Sequence, residues 1–152
     1  MQCAIAGDSI LRVKLIVDTN VFIAALISDS GASREVVRRC LLRRYRPFMS
    51  LPLFSEYRDV MGREALFESC PLPAAKRRAL FAAFIAVCQK TQIYFLWRPN
   101  LLDEGDNHVI ELAVAAEAQA IVTHNLADFA RSELRFPAIR VLTPAQLLKE
   151  DV

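Results

Sequence analysis

The segment that most limits how this 152-residue chain can fold is Val13-Lys14-Leu15-Ile16-Val17, a β-branched apolar run that halts at Asp18. A run of this length and composition suits a strand buried on both faces that delivers a polar residue at its carboxyl end. Similar short runs recur at Pro47 to Ser50, Ile93 to Trp97, Ala120 to Val122 and Arg140 to Leu142. Helical patterns lie between them. Ser33 is placed to cap a helix over about Arg34 to Arg44, and Leu51-Pro52 opens one that carries Glu56 in its early turns. An alanine-rich stretch runs from Ala74 to about Lys90, another helix from Asn107 to about Glu117, and Pro144 begins a short last one. Strands alternating with helices predict a three-layer α/β/α domain with a central parallel five-stranded sheet. The pattern spans residues 13–150, leaving 1–12 as an amino-terminal extension.

Composition narrows the class further. Hydrophobic residues make up 54% of the chain, and Gly and Pro number only 4 and 7, so a packed core is expected and a disordered or repetitive chain is not. Cys3, Cys40, Cys70 and Cys88 show no C-x-x-C pairing, which argues against a metal finger or a disulfide framework and for free thiols in a reducing compartment. Neither a signal peptide nor a membrane span is evident, so a cytoplasmic protein with no membrane partner is expected. A net charge of +2 excludes global basicity as a route to nucleic acid.

In open parallel sheets, ligands bind beyond the carboxyl ends of the strands. The polar residues there are Asp18, Thr19 and Asn20, then Glu56, then Asp103 to Asp106, then Thr123, His124, Asn125 and Asp128. Carboxylates follow three successive strand ends, with no lysine or arginine among them. Such a group must protonate or recruit a cation, and oxygen ligands of this kind suit Mg²⁺ or Mn²⁺. Each residue also has an ordinary explanation. Asp106 stands where a helix cap belongs, Glu56 can be a solvated helix residue, and Asp-Thr-Asn is a common turn. The joint pattern at ordered strand ends favours the metal site. His108 and His124 read as hydrogen-bonded structural residues. On the helix after Ser33, the cations Arg34, Arg38 and Arg39 can track an RNA backbone or simply form its solvated face. The same basic helix would also suit a partner protein or a second copy of the chain.

The run Leu15-Ile16-Val17-Asp18-Thr19-Asn20-Val21, the pair Ser55-Glu56, Asp103-x-x-Asp106 ahead of Glu111-Leu112-Ala113, and Val122-Thr123-His124-Asn125 with Asp128-Phe129 resemble the PIN domains. That resemblance covers about residues 13–148. It implies a metal-dependent endoribonuclease acting on single-stranded RNA, often the toxin of a bacterial toxin–antitoxin pair, with an antitoxin protein as partner and homo-oligomers expected. It makes Asp18, Glu56 and Asp106 the three core acidic ligands, with Asn20 orienting Asp18 and Thr123 supporting it. Many PIN domains carry a further aspartate where this chain has Asn125. The amide contributes no charge, so a second ion is expected to bind weakly, with Asp128 one turn on as a partial substitute. A PIN-fold module that binds RNA or protein with little or no catalysis is the alternative. A phosphoryl-transfer enzyme with Asp18 as nucleophile is disfavoured because Thr19-Asn20 supplies no second carboxylate, and no Gly-rich phosphate loop is present.

Overall fold

The computed structural model describes residues 12–28, 31–93 and 107–150. Five strands form one parallel sheet: β1 (Val13–Val17), β2 (Tyr45–Met49), β3 (Gln89–Lys90), β4 (Ala120–Val122) and β5 (Arg140–Leu142), in the order β3-β2-β1-β4-β5. The chain therefore builds outward from β1 in one direction, then crosses back and builds in the other. Between β1 and β4 the connections diverge, which opens a crevice beyond the strand ends. Leu15, Ile16 and Val17 are consecutive and buried, as are all three residues of β4, because helices cover both faces of the sheet.

Seven α-helices accompany the strands among the described residues: α1 (Thr19–Ile27), α2 (Ala32–Leu41), α3 (Leu51–Met61), α4 (Ala74–Val87), α5 (Asn107–Ala116), α6 (Leu126–Arg135) and α7 (Pro144–Glu150), with a 3₁₀ turn at Glu64–Phe67. None is long and apolar enough to cross a membrane. Side chains alternate across each strand, so Lys14, Arg46 and Phe48 share the face that meets the end of α5, whereas Tyr45 and Pro47 meet the end of α4. Phe22, Tyr57, Phe81 and Phe84 join α1, α3 and α4 through ring pairs with centroids 5.1 to 6.1 Å apart. Most of these pairs are edge-on, which suits the ring quadrupoles.

Several elements differ from the sequence expectation. The third strand is Gln89–Lys90 rather than Ile93 to Trp97, and residues 94–97 lie outside the described residues. Pairing of Phe48 with Gln89 and Met49 with Lys90 ends α4 early, overriding the helical tendency of the alanine-rich run. Because β3 begins opposite Phe48, Pro47 lies where β2 has a neighbour on one side only, a place where a missing N–H is tolerated. Ser50, expected in β2, instead caps α3 by accepting a hydrogen bond from Leu53 N at 3.2 Å. Ser33 does not cap α2. Gly31 takes that position at φ 112°, a conformation open to glycine, and Ser33 sits within the first turn. The helix ends at Leu41 rather than Arg44, where Arg43 turns left-handed at φ 63°. Helices α1 and α6 were not anticipated. Of the proposed extension 1–12, only Arg12 is described, donating to Arg43 O at 3.1 Å.

Candidate metal centre

Asp18 has two structural duties. It closes β1, with its N–H donating to Val122 O at 3.0 Å, and it caps α1, with Oδ1 accepting from Thr19 N at 2.9 Å. Its other oxygen, Oδ2, accepts from Thr123 Oγ1 at 2.8 Å and from Asn20 Nδ2 at 3.4 Å. The Thr123 hydroxyl in turn accepts from Asn125 N at 3.0 Å and Asn20 Nδ2 at 3.3 Å. One donor and two acceptor positions are thus all used, fixing its proton on the carboxylate. Asn20 also accepts from His124 N at 3.1 Å, which ties the end of β4 to the first turn of α1.

Glu56 reaches the same crevice from α3. Its Oε2 accepts from Thr19 Oγ1 at 2.8 Å, and its Oε1 lies 2.9 Å from His108 Nε2 in the first turn of α5. The next residue, Tyr57, is fully buried and donates its hydroxyl to Val17 O at 2.5 Å. That bond clamps α3 to the end of β1 and so sets where Glu56 stands relative to Asp18.

The two carboxyls differ in proton affinity. Burial raises the Asp18 carboxyl above the ordinary aspartate range, the Thr123 hydrogen bond opposes this, and the negative charge of Glu56 adds to the rise. Glu56 shifts the other way, chiefly through the His108 hydrogen bond, against the effect of its own burial. Asp18 is only 4% exposed, and among the described residues no lysine or arginine pairs with it. A buried anion beside a second anion calls for positive charge, and two hard oxygen donors fit Mg²⁺ or Mn²⁺. Among the described residues no three His, Cys, Asp or Glu side chains gather closely enough to hold an ion. The third expected ligand, Asp106, lies outside the described residues, directly before α5.

The other expected site residues fall as follows. Asn125 occupies the cap position of α6, makes no capping bond through its side chain, and is exposed. Asp128, in the first turn of α6, is also exposed, and among the described residues no hydrogen bond links either side chain to Asp18 or Glu56. Arg34 donates to Ser28 O at 2.6 Å, while Arg38 and Arg39 both pair with Glu35, at 3.1 and 2.8 Å. Thr19 and His108 join the site as partners of Glu56. Their signal was positional: one directly follows Asp18, the other falls in the first turn of the helix behind Asp106. Ser33 Oγ lies 2.9 Å from His124 Nε2, a contact across 91 residues that fastens α2 to the end of β4 and has no local signal in the sequence.

A chain of VapBC2 from Rickettsia felis, solved bound to a DNA fragment from their promoter, superposes with a TM-score of 0.58 over 85% of this chain and 97% of its own, at 12% identity. At that identity the likeness establishes the fold. No curated protein matches the chain. A model of the PIN domain matches residues 14–127, which takes in Asp18, Glu56, Thr123 and the beginning of α6. With three quarters of its length so matched and its carboxylates set at the diverging strand ends, this chain belongs to the PIN-domain family.

Proposed function

We propose that the chain is a divalent-metal-dependent endoribonuclease acting on single-stranded RNA. The observation that carries this reading is the placement of Asp18 and Glu56 on two elements at one crevice, each positioned by a threonine hydroxyl and, among the described residues, with no lysine or arginine paired to Asp18. Asp18 and Glu56, with Asp106, would hold Mg²⁺ or Mn²⁺, which when bound stabilises charge at a phosphodiester and makes water a better nucleophile. Thr123 and Asn20 hold the Asp18 oxygens in place, and Thr19 and His108 do the same for Glu56. The His108 contact keeps Glu56 ionised, so this carboxylate is ready as a ligand at neutral pH.

The test is cleavage of a labelled single-stranded RNA with Mn²⁺, with EDTA, and by the variants Asp18→Asn and Glu56→Gln. Wild-type cleavage that EDTA stops, and that each variant lowers by about 100-fold or more, is expected. Equal rates for wild type and both variants would sink the proposal. The family and the VapBC2 neighbour support a toxin role with a small antitoxin as partner, in the cytoplasm. The exposed amide of Asn125 favours a second reading, a binding module with weak catalysis. Calorimetry with Mn²⁺ separates the two, since no binding near millimolar metal would support the binder.

A further inference from the structure

A second cluster of charge lies away from the carboxylates, on the sheet face that meets the end of α5. Lys14 in β1 and Arg46 in β2 are cross-strand partners, and Phe48 follows Arg46 on the same face. Lys14 Nζ lies 6.0 Å, and the Arg46 guanidinium 5.6 Å, from the Phe48 ring centroid. Lys90 pairs with Met49, which alternation places on the other face, and it meets this groove only at the sheet edge formed by β3. The three cations line a groove of about 420 Å³. Among the described residues none of the three forms an ion pair with a carboxylate; Arg46 donates only to the neutral Gln89 Oε1, at 2.8 Å. The Phe48 ring attracts cations weakly and cannot neutralise them. Lys14 and Arg46 are half-buried, so their mutual repulsion is less screened than on open surface.

This groove is continuous with a larger cavity. Lys90, Thr91 and Gln92 line both it and a space of about 800 Å³ walled by Leu51, Pro52 and Phe54 of α3, the helix that carries Glu56. The larger space is mainly apolar, and Glu111 in its wall disfavours phosphate there. Only the cationic groove suits an anionic backbone. Lys14 precedes Asp18 by four strand residues, about 13 Å, or roughly four nucleotides at the 3.4 Å axial rise of a stacked strand.

We infer that Lys14, Arg46 and Lys90 form a phosphate track that binds the backbone of single-stranded RNA flanking the cleavage point. The inference rests on the ribonuclease reading for its substrate, but binding tests it without catalysis. The probes are fluorescein-labelled oligouridylates of about 2 and about 12 nucleotides, the first shorter than the separation of track and carboxylates, titrated by anisotropy in EDTA against wild type and the triple variant Lys14→Gln, Arg46→Gln, Lys90→Gln. The longer RNA should lose affinity on the order of 10-fold, and its salt-dependence slope should fall by about 2, at about 0.7 per phosphate contact on a single strand. The shorter RNA, unable to span the distance, should bind both proteins alike. Unchanged binding of the longer RNA, or an equal loss for both lengths, overturns the track. An oligodeoxynucleotide of the greater length separates phosphate from ribose recognition: an equal loss supports the track, and a loss confined to RNA overturns it. If the triple variant does not fold, the exposed Lys90→Glu alone must weaken the longer RNA several-fold or the inference fails. Mn²⁺-dependent cleavage of the shorter RNA by the triple variant reports on the ribonuclease reading separately.

Discussion

Replacing Thr123 with valine removes one oxygen and keeps the shape of the side chain, so its effect isolates the hydroxyl at the centre of the site. Thr123 is fully buried and donates to Asp18 Oδ2 at 2.8 Å, and a hydrogen bond to a charged group contributes about 1.5–3 kcal/mol. The Asn125 N–H and the Asn20 amide also lose their acceptor, though Asn20 keeps its bond to Asp18. A net destabilisation of about 2–4 kcal/mol is expected at neutral pH. At about 2–4 °C per kcal/mol for a domain of this size, Tm should fall by about 4–16 °C. The deficit should also depend on pH. The Asp18 carboxyl is already raised by burial, and losing Thr123 raises it further. A carboxyl with a raised folded-state pKa contributes stability that is fully present below its unfolded value of 3.8 and is lost as pH rises through the folded one. The gap between Thr123→Val and wild type should therefore narrow toward pH 4, where a protonated Asp18 no longer needs the donor. Urea unfolding followed by far-UV circular dichroism at both pH values measures this, with Thr123→Ser as the control that keeps the hydroxyl. A valine variant within about 0.5 kcal/mol of wild type at neutral pH, or a serine variant as unstable as valine, would refute the reasoning.

Tyr57→Phe leaves Val17 O without its 2.5 Å donor and should cost about 1–2 kcal/mol by the same unfolding assay, with little change in the aromatic packing. Cys40 and Cys88 should resist iodoacetamide in the native protein at pH 8, since burial lifts both thiols and pushes Cys88 up to about 12. Because the folded Cys88 pKa exceeds its unfolded value of 9.0, its contribution to stability is intact below pH 9 and is lost as pH rises toward 12, which alkaline unfolding curves of Cys88→Ala would reveal by a shallower fall. Glu117 ends α5 in the left-handed region at φ 55°, with Ala118 N returning to Ala113 O, so Glu117→Gly should stabilise the protein by about 0.5–1 kcal/mol in thermal melts.

The strand ends were legible because a short apolar run that stops at a polar residue is a local signal, and β1, β4 and β5 lie where that signal put them, ending at Asp18, Thr123 and Thr143. Helix α1 was silent for the opposite reason. Its sequence, TNVFIAALI, is apolar on every side, so no amphipathic contrast marks it. Helix α6 does carry such a contrast, with Phe129 and Ser132 buried among otherwise exposed residues 127–133, so its pattern was legible in the sequence. The boundary between α4 and β3 is set by pairing with β2, some 40 residues earlier in the chain, and no local preference encodes it. The same holds within the site. Asp18 and Glu56 announce themselves as carboxylates in telling places, but the partnership of Glu56 with His108 spans 52 residues and that of Ser33 with His124 spans 91. Such contacts exist only after the sheet has brought its strand ends together.

The divergence of the chain on either side of β1 has a consequence for synthesis. Asp18 and Glu56 emerge from the ribosome early, whereas His108 and Thr123, which hold them, lie in the last third of the chain. Strand β4, which lines the other wall of the crevice, is made still later than α5. A chain interrupted before residue 107 therefore contains Asp18 and Glu56 with Thr19, Asn20 and Tyr57, but lacks His108 and Thr123, which complete their hydrogen bonding. At elongation rates of about 5–20 residues per second, several seconds separate the synthesis of Asp18 from that of Thr123, which donates to it. The arrangement delays the full hydrogen bonding of the two carboxylates until synthesis is nearly complete.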